Sequence, residues 1–150
     1  MKKFKFSLQT VHNVREIKQE KEQMILMQMQ SEVQKAVERI AQIEQMRFQA
    51  LENYSQRMRA GERLDARELE LSSNHINSLD RMQREAQQQL EQAKQIALGQ
   101  SKVVAAAGRQ VKITEKLRET QQTRHKHEMS KIEQNALDEI VCANFARQMS

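Results

Sequence analysis

The sequence has no proline and no tryptophan, only three glycines, one tyrosine and one cysteine. Without glycine and proline there is almost no material for tight turns, hairpins or a Gly-rich phosphate loop, so all-β and α/β folds are excluded. Four phenylalanines and one tyrosine are too few large side chains to fill a multi-layer enzyme core. A single cysteine, Cys142, permits no intramolecular disulfide. No run of about 18 apolar residues exists, since even Met24–Met29 is interrupted by Gln28. The opening residues Lys2, Lys3, Phe4, Lys5 and Phe6 lead into no apolar segment of the kind a cleaved signal carries. A soluble, cytoplasmic chain is expected.

The residues that are abundant are helix formers. The 150 residues are rich in Gln, Ala, Glu, Lys, Arg and Met, which lose little side-chain freedom in a helix. Charged residues make up 30% of the chain and the net charge is +5, enough to keep the outer faces of a thin helical assembly solvated.

Apolar residues recur at Leu8, Val11, Val14, Ile17 and Met24, then at Val33, Val37, Ile40, Ile43, Met46, Leu51, Tyr54 and Met58. The second series has a mean spacing of about 3.6, a helical stripe. The spacing predicts one helix over about 7–59, too long to be wrapped by the remainder and therefore in need of a partner helix. The only convincing break is Ala60-Gly61-Glu62-Arg63-Leu64-Asp65, with Gly61 as a left-handed helix stop and Asp65 as a cap for the next helix. A tip with a short helix is expected over 60–77, ending at Ser72-Ser73-Asn74, whose side chains compete for backbone hydrogen bonds. A second long helix is expected over 78–145. Its heptad seam runs through Leu79, Ala86, Leu90, Ala93, Ala97, Gln100, Val104, Ala107 and Val111, continuing at Leu117, Ile132, Ala136 and Ile140. The alanines make this pairing thin, and Gly99 and Gly108 make 100–109 its softest stretch. The expected fold is all-α: a single domain, 1–150, formed as a long antiparallel two-helix coiled coil with a bent tip or short helix at about 60–77.

Such a hairpin brings two basic segments together, 1–21 and 109–131, each with a net charge of +4. Phosphate contacts of a basic helical nucleic-acid binder are one reading of that end, and a general coiled-coil scaffold is another. Against specific nucleic-acid binding, Glu16, Glu20, Glu115, Glu119 and Glu128 sit at helical spacings that would pair them with neighbouring bases, and aromatic stacking platforms are missing. His125 and His127 point about 200° apart on a helix with Lys126 between them, so a solvated face is preferred to a metal site. Met24, Met27 and Met29 read as adaptable packing rather than soft-metal ligands. Cys142 has no nearby base, and no convergent acid, base and nucleophile are available. An enzyme, a metal and a cofactor are not expected. Phe4, Phe6 and Leu8, apolar within a basic segment, are either a clasp onto the second helix or a docking tip for a partner.

Two stretches carry a resemblance. The run Phe4-Lys5-Phe6-Ser7-Leu8-Gln9-Thr10-Val11 followed by Val14-Arg15-Glu16 resembles the opening of the FliJ family of flagellar export proteins. Lys116-Leu117-Arg118-Glu119, then Gln134-Asn135-Ala136-Leu137-Asp138-Glu139 with Arg147, resembles that family's ending. The chain departs from it at Ala136 and at Cys142-Ala143-Asn144. The resemblance implies a non-enzymatic component of the bacterial flagellar type III export apparatus, working in flagellum biogenesis, motility and chemotaxis. It implies a cytoplasmic location, peripheral to the inner membrane at the flagellar base. It also implies a central-stalk-like role on the hexameric export ATPase, with contact through Phe4, Phe6, Leu8, Val11 and Arg15 together with Leu137, Asp138 and Glu139. The cytoplasmic domain of the export gate, met through Ile76, Leu79 and Met82, and the export chaperones are the further partners it implies.

Overall fold

A computed structural model describes residues 2–61, 63 and 65–150. It is all-helical, with no strand among the described residues: α1 spans Gln9–Arg59 and α2 spans Ala66–Met149. The two long helices pack against each other antiparallel, as a hairpin coiled coil. Absence of proline lets α2 run for 84 residues without losing a backbone hydrogen bond.

The turn between the helices is built as its residues predict. Gly61 has φ +70 and its N–H donates to the Met58 carbonyl at 3.3 Å, the left-handed residue that ends α1. The Asp65 carbonyl accepts the first α2 bond, from the Leu69 N–H at 3.0 Å, which puts Asp65 at the N-cap. Glu62 and Leu64, the other members of the expected break, lie outside the described residues. The short helix expected over 66–77 is not separate, because these residues are the first turns of α2. Ser73 and Asn74 are exposed, so their side chains meet water and do not displace the helical bonds.

The chain forms two compact units, 1–20 with 105–150 and 21–104. In the second unit Leu26, Ile43, Leu79 and Ala86 are buried, with Ile43 only 1% exposed. Polar groups flank this seam. Gln83 donates to Glu44 at 3.4 Å, and Gln100 Nε2 donates to the Glu22 carboxylate at 2.6 Å and to the Glu22 carbonyl at 3.0 Å. Arg47 Nε lies 2.8 Å from Asp80 Oδ1, a close charge contact whose N–H points off the hydrogen-bond direction.

In the first unit the seam is made differently from the expected one. Phe6 and Ala107 are its buried apolar members, and two polar side chains, His12 and Thr114, are buried beside them. Val14 and Ile17 here, and Met24 in the other unit, read from the sequence as recurring apolar positions of the first helix, are exposed, as are Leu117, Ile132, Ala136 and Ile140 on α2. The physical reason is phase. The buried and half-buried positions 12, 15, 19, 22 and 26 of α1 repeat every three or four residues on one side, and Val14, Ile17 and Met24 fall off that side.

Candidate functional site

The first unit holds most of the chemistry that the sequence singled out. Residues 2–6 have no regular secondary structure and lead into a turn at Ser7–Leu8, where the Gln9 N–H donates to the Phe6 carbonyl at 3.1 Å and α1 begins. Phe6 is buried in the seam, so of the two readings for this aromatic it takes the clasp. Phe4 is half-buried and its ring lies 5.6 Å from that of His125, tilted by 43°. His125 Nε2 meets the Lys2 carbonyl at 3.2 Å, which ties the N-terminal segment to α2. Leu8 and Val11 remain about two-fifths exposed. The Arg15 guanidinium donates to the Gln110 carbonyl at 3.0 Å, so it is anchored to a neutral acceptor.

At the centre of this unit His12 is clamped on both ring nitrogens. Nε2 is 2.8 Å from Glu16 Oε1, and Nδ1 is 2.7 Å from Thr114 Oγ1. The Glu16 carboxylate only accepts, so Nε2 donates to it, while Thr114 Oγ1 lies between Nδ1 and the Val111 carbonyl at 2.9 Å and has a single proton to give to one of them. Neither residue was found by sequence reading, because a search for apolar periodicity passes over polar seam residues. A signal was nevertheless there: His12 keeps the heptad phase of Arg15 and Gln19, and Thr114 that of Ala107 and Val111.

Leu137, Asp138 and Glu139 are not brought to the N-terminal aromatics. They are exposed on α2 twelve or more residues past His125, about 18 Å along the axis. In the other unit Leu79 is buried at 3% exposure, while Ile76 and Met82 are half-buried beside it. Ile76 shares with Met46, Tyr54, Arg57 and His75 a shallow cleft of about 330 Å³.

The expected pairing of acids with bases is not formed. Among the described residues no Lys or Arg of the first unit is in an ion pair with a carboxylate, and Glu16 pairs with His12 instead. Among the described residues there is no cluster of three His, Cys, Asp or Glu side chains able to hold a metal, and His125 and His127 do not converge. Cys142 is exposed. No described helix is long and apolar enough to cross a membrane.

The family model for the flagellar FliJ protein matches residues 4–150, which is nearly the whole chain. The chain belongs to the FliJ family. Comparison with curated proteins and with solved structures gives no match. FliJ membership makes this a flagellar export-related protein of a family whose part in export is non-catalytic.

Proposed function

We propose that this FliJ-family chain serves flagellar protein export by docking on the hexameric export ATPase as a stalk-like partner and coupling it to the export gate. The observation that carries the reading is the family match over 4–150, which includes both segments assigned to the ATPase. A two-helix coiled coil has a narrow cross-section and a continuous backbone hydrogen-bond ladder, which suits it to enter a ring and transmit a position change. It would act by binding the states of the ring unequally, since a partner shifts an equilibrium only by its differential affinity.

Burial divides the labour among the assigned residues. Phe6 builds the seam and Phe4 holds the N-terminal segment on His125, so direct contact falls to Leu8, Val11 and Arg15, with Leu137, Asp138 and Glu139 on the exposed continuation of α2. By the same division Leu79 supports Ile76 and Met82, the side chains left to meet the gate. The chaperones of exported subunits are the third class of partner, and a cytoplasmic position at the membrane face of the flagellar base follows from the gate contact.

The test is the ATP hydrolysis rate of the cognate export ATPase at limiting concentration, with light scattering to follow hexamer formation. Addition of this protein should raise both, and Leu8→Ala with Val11→Ala should remove the rise while helicity stays unchanged. An unchanged hydrolysis rate and unchanged scattering with the wild-type protein would overturn the stalk reading.

A further inference from the structure

The uncompensated charge of the first unit is arranged along one side of α2. Ala106, Arg109, Ile113, Lys116, Thr120 and Thr123 follow each other at spacings of three and four, with Arg124 and Lys131 continuing the same side. All of them are exposed, while Ala107 and Thr114, the buried residues of this stretch, turn to the α1 side. The stripe has the 3–4 spacing of a coiled-coil seam but the wrong chemistry for self-burial. Small or apolar Ala106, Ile113 and Thr120 alternate with cationic Arg109, Lys116 and Arg124. No carboxylate lies on it. Glu119 and Glu128 border it on either margin, Glu119 lining a shallow hollow with Thr120, Thr123 and Arg124, yet among the described residues neither is in an ion pair, and Glu115 lies on another side of the helix.

We infer that this side of α2 is a docking face for an acidic amphipathic helix of another protein, laid alongside α2 as a third strand of the coiled coil. Charge complementarity selects the occupant. Arg109 and Lys116, and again Arg124 and Lys131, are each a heptad apart and match carboxylates at the flanking positions of a facing helix, and the small side chains between them leave room for its apolar knobs. Nucleic acid fits less well. Phe6 is buried and Phe4 is turned onto His125, so neither offers a face for base stacking. A bilayer fits less well too, because Ile113 and Leu117 are the only large apolar side chains here, too few to insert a helix into an interface. The inference stands apart from ATPase docking, for it shares no residue with the surface assigned to that contact.

The experiment is a fluorescence-anisotropy titration of the full chain with a synthetic probe helix of about four heptads, carrying Glu at the positions flanking an Ala/Leu seam. A twin probe carries Lys in place of Glu. The Glu probe should bind, the Lys probe should not, and binding should weaken steeply between low and high salt. Arg109→Glu with Lys116→Glu should reduce affinity at least about tenfold, and Arg109→Gln with Lys116→Gln less, at unchanged helicity. Lys35→Glu with Arg39→Glu, the same charge change in the other unit, should leave it unaltered. Equal binding of the two probes, or full binding by the Arg109→Glu, Lys116→Glu chain, would overturn the proposal. So would tighter binding to a DNA duplex or to phosphatidylglycerol vesicles than to the Glu probe, or self-association of the chain that these substitutions abolish. The ATPase assay and this titration use different variants, so either reading can fail while the other survives.

Discussion

Removing the Thr114 hydroxyl should cost more than its size suggests. Thr114 and His12 are 1% and 4% exposed, and among the described residues their bond of 2.7 Å is the only one that satisfies Nδ1 of the imidazole. Thr114→Val keeps the shape of the side chain and strands that nitrogen where water does not reach it. A buried polar atom left without a partner costs about 1–3 kcal/mol, well above the net value of an ordinary hydrogen bond. For a chain of this length that is a fall in melting temperature of roughly 2–4 °C for each kcal/mol. His12→Leu combined with Thr114→Val removes both polar partners at once and should return stability close to wild type or above it, because Glu16, at 51% exposure, is left in contact with solvent. The assay is urea unfolding of the four proteins of the double-mutant cycle, followed by circular dichroism, with an expected coupling of about 1–2 kcal/mol between the sites. If Thr114→Val unfolds within about 0.3 kcal/mol of wild type, or if the double substitution costs the sum of the single ones, the stranded nitrogen carries no such penalty and the reasoning is refuted. The pair also bears on register. A slip of α2 by one turn would place Val111 or Leu117 near His12, leaving the imidazole with no hydroxyl, so the double variant should show more varied cross-linking between the helices.

Four further substitutions test the rest of the fold by the same unfolding measurement. Ile43→Ala should cost about 2–5 kcal/mol, because Ile43 is 1% exposed and a two-helix seam has no neighbouring layer to fill the void. Gly99→Ala should stabilise by about 0.5–1 kcal/mol, since a Cβ there meets nothing within 4 Å; Gly108→Ala should gain less, its Cβ falling 3.2 Å from the flexible end of Gln19. Gly61→Ala should destabilise by about 1–2 kcal/mol although space is open around it, because φ +70 is costly for any residue with a Cβ. A neutral result at Gly61 would mean that the turn adopts another conformation.

The sequence by itself determined that the chain is a helical hairpin, where it turns, and which family it joins. Absence of proline, a 3.6-residue stripe and the placement of Gly61 and Asp65 act locally, through backbone sterics and end-group hydrogen bonds, so they can be read without the partner helix. Much of the second helix's seam, from Leu79 to Val111, was legible for the same reason. Tertiary structure alone decided the remainder. In a thin two-helix seam an apolar residue and a satisfied polar one are close in free energy, so periodicity does not tell which of Val14 or His12 is covered; packing against α2 decides, and it chose His12 with Thr114. The same packing decided that Phe6 closes the seam and Leu8 stays available. It also left the bases of the first unit without the acidic neighbours that their spacing promised, since exposed ion pairs are worth too little to hold long side chains in place.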